Sequence, residues 1–243
     1  MTAIDWVGFD ADDTLWRSED YYRQAQADFE RILADYIDLP TLGAELHAVE
    51  GRNLALFGYG AKGMTLSMLE TAIQVTDARI SAIDLQRIVE LGKTILQHPV
   101  ELLPDVRDAV LAIAAEHPVV LITKGDLFHQ EAKLQQSGLR SLFPRIEIVS
   151  EKNAATYARV LDECGADPTR FLMIGNSLRS DALPVLELGG WAIHTPYHVT
   201  WQHEVVDAPT GAMGKRLRVV DVARSWPQAV QSLCHGDAAC VDA

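Results

Sequence analysis

Directly behind the apolar run Ile4 to Phe9 stand Asp10, Ala11, Asp12, Asp13 and Thr14. Within a strand, side chains two residues apart share a face, and at the strand's carboxyl end Asp10 and Asp12 can converge on one point. Converging carboxylates repel each other unless a cation or a shared proton lies between them. The chemistry open to such a pair is attack by one carboxylate and proton transfer by the other. Three more polar features follow in order. Thr123 ends the run Val119–Ile122 in VVLITKGD, Lys152 follows Arg145–Val149 in IVSEKN, and MIGNSLRSD places Asn176, Ser177, Ser180 and Asp181 behind Phe171–Ile174.

These groups need strands to carry them. Strand-like and helix-like segments alternate over most of the chain, which predicts an α/β fold with a parallel sheet. The candidate strands are Ile4–Phe9, Val119–Thr123, Arg145–Val149, Phe171–Ile174 and Trp191–His194, with a short late one over Leu217–Val220. Asp105–Glu116 and Asn153–Cys164 carry apolar residues at helical spacing. From Ser18 to His98 there is helical periodicity and almost no strand signal. Tyr22, Ala25, Phe29, Ile32, Leu33 and Tyr36 form one stripe there. Pro40, Pro99 and the Gly58–Gly63 stretch punctuate this interval, and about four helices fit it. The expected organisation is an α/β core over 1–17 and 99–243, with a helical bundle over 18–98 inserted into it. The core is expected to be Rossmann-like, with helices on both faces. Its connections to the bundle should run through Leu15–Ser18 and His98–Pro104.

Four motifs in this order, each at a strand's carboxyl end where open α/β sheets bind ligands, make the core resemble the haloacid-dehalogenase-like superfamily of phosphotransferases. The inserted helical segment is similar to the family's cap. The resemblance implies Asp10 as nucleophile, forming an aspartyl phosphate. Asp12 would protonate the leaving oxygen and later deprotonate the attacking water. Lys152 would neutralise the transferring phosphoryl group and hold Asp10 ionised. Thr123 would bind phosphoryl oxygens together with the backbone N–H groups that follow it. It implies Mg²⁺ as cofactor, held by the Asp10 carboxylate, the Asp12 carbonyl and a group from the fourth motif.

The chain departs from the family pattern at Asn176, where Asp is commonest. Asn176 is expected to ligate through its carbonyl oxygen, with Asp181 supplying the missing charge directly or through water. Asp13 stands where many relatives carry Gly and is read as capping or bracing the turn. Ser177 is expected to cap the following helix and line the site. Substrate contacts are assigned to Thr123, Lys124, Lys62 and Tyr59. For Lys62 the competing reading is a solvated lysine in a helix–helix turn, and for Lys124 a side chain pointing to solvent. His194, His198 and His203 match no zinc spacing, and Trp191, Tyr197 and Trp201 are read as packing.

Composition narrows the class. Among 243 residues, 48% are hydrophobic and 23% charged, enough for a sizeable core. A formal net charge of -13 argues against a nucleic-acid surface but not against a small phosphorylated substrate. No apolar run reaches the roughly 20 residues a membrane helix needs, no secretory leader is visible, and a cytoplasmic setting is expected. Cys164, Cys234 and Cys240 make no disulfide framework, although Cys234 and Cys240 are near enough in sequence to pair. The reading is a Mg²⁺-dependent phosphomonoesterase. Its rivals are a 2-haloacid dehalogenase, a phosphosugar mutase and a phospholigand-binding module without catalysis; oligomeric state is not legible.

Overall fold

A computed structural model describes residues 4–235. They form two compact units. One takes the chain up to Arg17, Val100–Lys124 and the chain from Leu134 on; the other takes Ser18–Pro99 and Gly125–Lys133.

The first unit is built on six strands: β1 (Trp6–Phe9), β2 (Val119–Lys124), β3 (Arg145–Val149), β4 (Phe171–Gly175), β5 (Trp191–His194) and β6 (Leu217–Val219). They pair in the order β3-β2-β1-β4-β5-β6, all parallel. The bounds match the apolar runs to within two residues, because the strands are short and mostly buried on both faces. Their side chains alternate as a pleat requires. Val7, Phe9, Val119, Leu121, Leu172 and Ile174 join one core layer with Val106, Val110, Ile113 and Trp226. Val120, Ile122, Phe171 and Met173 join the opposite layer with Tyr157, Val160, Leu161 and Val185. Each fully buried Phe or Leu contributes roughly 1.5–3 kcal/mol.

The sheet's helices are α5 (Val106–Ala114), α7 (Ala154–Cys164), α8 (Leu183–Glu187), α9 (Gly211–Gly214) and α10 (Trp226–His235); α6 (Leu127–Ser137) spans the boundary of the two units. Asn153 caps α7 by accepting the Thr156 N–H at 2.9 Å. Gly8 permits a close approach between strands: a Cβ there would stand 2.5 Å from Phe171 Cζ. The two segments leading to and from the second unit run side by side. Arg17 N–H donates to Glu101 O at 3.0 Å, and Leu103 N–H donates to Leu15 O at 3.0 Å.

The second unit contains α1 (Glu19–Leu33), α2 (Leu39–Phe57), α3 (Ala61–Val75) and α4 (Ala82–Gln97). Its core joins Phe29, Leu33, Leu42, Leu46, Met68, Ala72 and Ile88. The glycine-rich loop is shorter than its composition suggests. Gly58 (φ 70) and Gly60 (φ 106) make the turn, whereas Gly63 lies within α3, where a Cβ would meet Gly58 O at 2.7 Å. Lys62 is therefore helical. No helix among the described residues is long and apolar enough to cross a membrane. Cys164 and Cys234 are free thiols; Cys240 lies outside the described residues.

Candidate active site

In a parallel sheet all carboxyl ends share one edge, and the chain's order reverses between β1 and β4, which is where open α/β sheets bind ligands. Asp10 follows β1 and Asn176 follows β4 at that point. Thr123 is buried near the end of β2, next to β1. Lys152 stands between the end of β3 and α7.

The turn behind β1 is tightly determined. Asp13 has φ 59, the left-handed conformation that Asp and Asn tolerate best among residues with a Cβ. This is the physical content of its bracing role, because the bend it makes returns the chain so that Asp13 N–H donates to Trp16 O at 2.7 Å. Trp16, itself buried, donates its indole N–H to Asp12 Oδ1 at 2.7 Å and so fixes the Asp12 carboxylate. Thr14 Oγ1 donates to Asp10 Oδ2 at 3.0 Å and accepts the Asn176 N–H at 3.0 Å, tying the ends of β1 and β4 together.

Lys152 is 4% exposed. Its amine donates to Asp10 Oδ1 and, at 2.7 Å, to Asp181 Oδ1. Burial alone would pull the lysine down, but the charges of Asp10 and Asp181 outweigh it and hold the amine above the ordinary lysine range. Asp10 shows the other side of this imbalance. Burial first, then the Asp181 charge, push its carboxyl up to about 7 against the pull of Lys152.

Asp181, expected at the metal, has both oxygens engaged elsewhere: Oδ1 faces Lys152 and Oδ2 accepts the Ser177 N–H at 3.0 Å. Ser177 caps the following π-helical turn, accepting the Ser180 N–H at 3.0 Å. Tyr157 donates its hydroxyl to Ser180 O at 3.0 Å and holds that turn from α7. Lys124 does not stand open for substrate, because it donates to Ser180 Oγ at 2.8 Å and to Glu204 Oε1 at 2.5 Å. Within the second unit, Lys62 donates to Asp126 at 2.9 Å and lies 5.4 Å above the Phe128 ring. Tyr59 lies half-buried in the turn between α2 and α3. His194 Nε2 bonds Asn176 O at 2.9 Å, while His198 and His203 lie against Tyr197 and Trp201.

Glu204, Thr14, Trp16 and Tyr157 were given no site role by sequence reasoning. Thr14 belongs to the first motif and could have been found there. Glu204 sits in irregular chain between β5 and β6, where neither periodicity nor motif marks it; only the length of that stretch was a signal.

The donor set fits a hard cation. Asn176 satisfies its neighbours when its amide nitrogen donates to Asp10 Oδ2 and Asp12 O, both at 3.1 Å. A neutral donor therefore already bridges two oxygens, and the same amide turned over offers a third. Asp10 and Asp181 share the single amine of Lys152, and Asp12 is held by the neutral Trp16 indole, a carboxylate excess that a divalent cation would balance. Asp10, Asp12 through its carbonyl, and Asn176 would hold it.

Known proteins share this chain's family and fold. A family model described as haloacid dehalogenase-like hydrolase matches residues 4–189. The pyrimidine 5'-nucleotidase YjjG of Escherichia coli (strain K12) is 25% identical over 197 residues, covering 76% of this chain and 83% of that protein. A haloacid dehalogenase-like family hydrolase from Xanthomonas campestris superposes with a TM-score of 0.87 at 61% identity, over 96% of this chain and 93% of its own. A 2-haloacid dehalogenase from Pseudomonas syringae pv. Tomato DC3000 shares the fold, with a TM-score of 0.62 at 19% identity over 95% of this chain and 99% of its own. With four motifs gathered on one sheet edge and a family match over most of its length, the chain belongs to the haloacid dehalogenase-like hydrolases.

Proposed function

We propose that this enzyme is a Mg²⁺-dependent phosphomonoester hydrolase acting on a small phosphorylated metabolite through an aspartyl-phosphate intermediate. The observation that carries the reading is Asp10, bonded by the buried Lys152 and close to a second carboxylate, Asp12, that Trp16 holds separately. An Asp10 oxygen attacks phosphorus and the bond from phosphorus to the leaving oxygen breaks. Asp12 delivers its proton to that oxygen. Water then attacks the aspartyl phosphate, Asp12 takes the proton back, and phosphate leaves with Asp10 regenerated. Lys152 offsets charge on the phosphoryl oxygens, and Thr123 with the backbone N–H groups behind it orients them. Bound Mg²⁺ would supply further positive charge at the phosphoryl oxygens and favour ionised Asp10.

The nucleotidase relative supports a phosphoester substrate. Asp12 argues against haloacid chemistry, where the leaving halide needs no proton. The reading is tested by following hydrolysis of p-nitrophenyl phosphate and of pyrimidine nucleoside monophosphates with and without Mg²⁺, beside Asp10→Asn. Metal-dependent phosphate release that disappears in the variant is expected. Near-normal turnover by Asp10→Asn, or chloride release from a 2-haloacid without Mg²⁺, would overturn it.

A further inference from the structure

Glu204 is a carboxylate at this sheet edge that none of the four motifs accounts for. It lies in a short 3₁₀ turn, Gln202–Glu204, strapped down where Arg179 donates to His203 O at 2.8 Å. Its Oε1 accepts from Lys124 Nζ at 2.5 Å, and its Oε2 accepts from Ser180 Oγ at 2.6 Å and from Ser177 Oγ. The Glu204 and Lys124 side chains are 11% and 16% exposed. Burial would raise the Glu204 carboxyl, but Lys124 and the two hydroxyls outweigh it and hold it below the ordinary range.

Lys124 directly follows Thr123, and its amine bonds Ser180, the neighbour of Asp181, which in turn bonds Lys152. A second lysine is thus held within a few side chains of the phosphoryl site. Glu204 satisfies it, and Glu151 Oε1 stands 3.9 Å away on another side. A cation added to a phosphate site strengthens binding of substrate and product alike, which lowers KM without raising kcat and slows release.

We propose that Glu204 is a positioning residue that withholds Lys124 from the phosphoryl site and thereby sets how weakly product phosphate is held. The proposal rests on the phosphatase reading. Without Glu204, Lys124 keeps its contacts to Ser180 and Glu151 but loses its nearest carboxylate, which lets the amine shift toward bound phosphate, and the local charge rises by one.

The test is the dissociation constant of inorganic phosphate, measured by calorimetry on the full chain with saturating Mg²⁺. Glu204→Gln should bind phosphate about tenfold more tightly, since one nearby charge is worth about that much at a half-screened site. Lys124→Met, which leaves Glu204 unpaired, should bind more weakly than wild type. The double variant should return near wild type. A residue with a merely structural role would weaken phosphate binding when replaced, so equal or weaker binding by Glu204→Gln overturns the proposal. Should Glu204→Gln fail to fold, Glu204→Asp, whose shorter side chain loosens the hold on Lys124, should still bind phosphate more tightly than wild type, and equal or weaker binding overturns the proposal. The two readings fail differently: a wild type that neither hydrolyses phosphoesters nor binds phosphate sinks both. A wild type that does both, with no tightening on loss of Glu204, sinks only this one.

Discussion

Lys152 Nζ lies 2.7 Å from Asp181 Oδ1, and the same amine bonds Asp10. One buried cation therefore serves two buried carboxylates, and the charge of Asp10 depends on Asp181 as well as on Lys152. Asp181 keeps Lys152 aimed, yet it also competes for it.

Removing the shared cation should be costly twice over. Lys152→Met leaves Asp10 and Asp181 facing each other without a partner, which should destabilise the protein by about 3–5 kcal/mol in urea unfolding. Turnover should fall by at least about a hundredfold. Lys152→Met/Asp10→Asn should regain part of the stability and none of the activity. If Lys152→Met unfolds at the wild-type urea concentration, the buried network is not what holds this edge together.

Metal binding should depend on pH through Asp10. Its carboxyl sits at about 7 in the folded, metal-free protein against 3.8 unfolded, so the fold favours the protonated form. That contribution to stability is full below the unfolded value and is lost as pH rises through about 7. Mg²⁺ needs the ionised carboxylate, so below about pH 7 its apparent affinity should fall by about tenfold per pH unit and then level off above. Thermal unfolding with and without Mg²⁺ across this range reads the effect directly. Asp10→Asn should erase the dependence; a wild-type Mg²⁺ shift that is flat in pH would show that Asp10 is not a ligand.

Asn176→Asp separates affinity from metal-free stability. The added charge should tighten Mg²⁺ binding by about tenfold. It also deletes the amide donor shared by Asp10 Oδ2 and Asp12 O, so the metal-free variant should lose about 1–3 kcal/mol. Calorimetric Mg²⁺ titration and unfolding in chelator measure the two halves. A variant more stable than wild type in chelator would contradict the donor role of Asn176.

The strands were legible in the sequence because each is a short apolar run ended by the polar group it presents. Helix α1 was legible because Ala25, Phe29 and Leu33 of its apolar stripe are the residues it buries. What the residues at the site do to one another was less legible. Asp181 was placed by its motif, but its partnership with Lys152 depends on the π-helical turn Leu178–Ala182, whose hydrogen bonding no side-chain period announces. Lys124 read as an open cation because its partner is eighty positions away. Glu204 was invisible because irregular backbone carries no period, and its role comes wholly from what the strap brings together.

The central strand has a bearing on how the protein is made. β1 pairs through Val7 with Val119 on one side and Leu172 on the other. During synthesis the first strand therefore emerges with no neighbour to pair with, and the helices from Glu19 to Gln97 are complete long before either partner arrives. Closing so long a loop is slow, as it is for any sheet dominated by distant pairings. Asp10 is among the earliest residues made, yet its N–H can donate to Ile174 O only once β4 has docked. A nascent chain or a fragment that stops short of Phe171 would carry every residue of the first three motifs and still lack an active site.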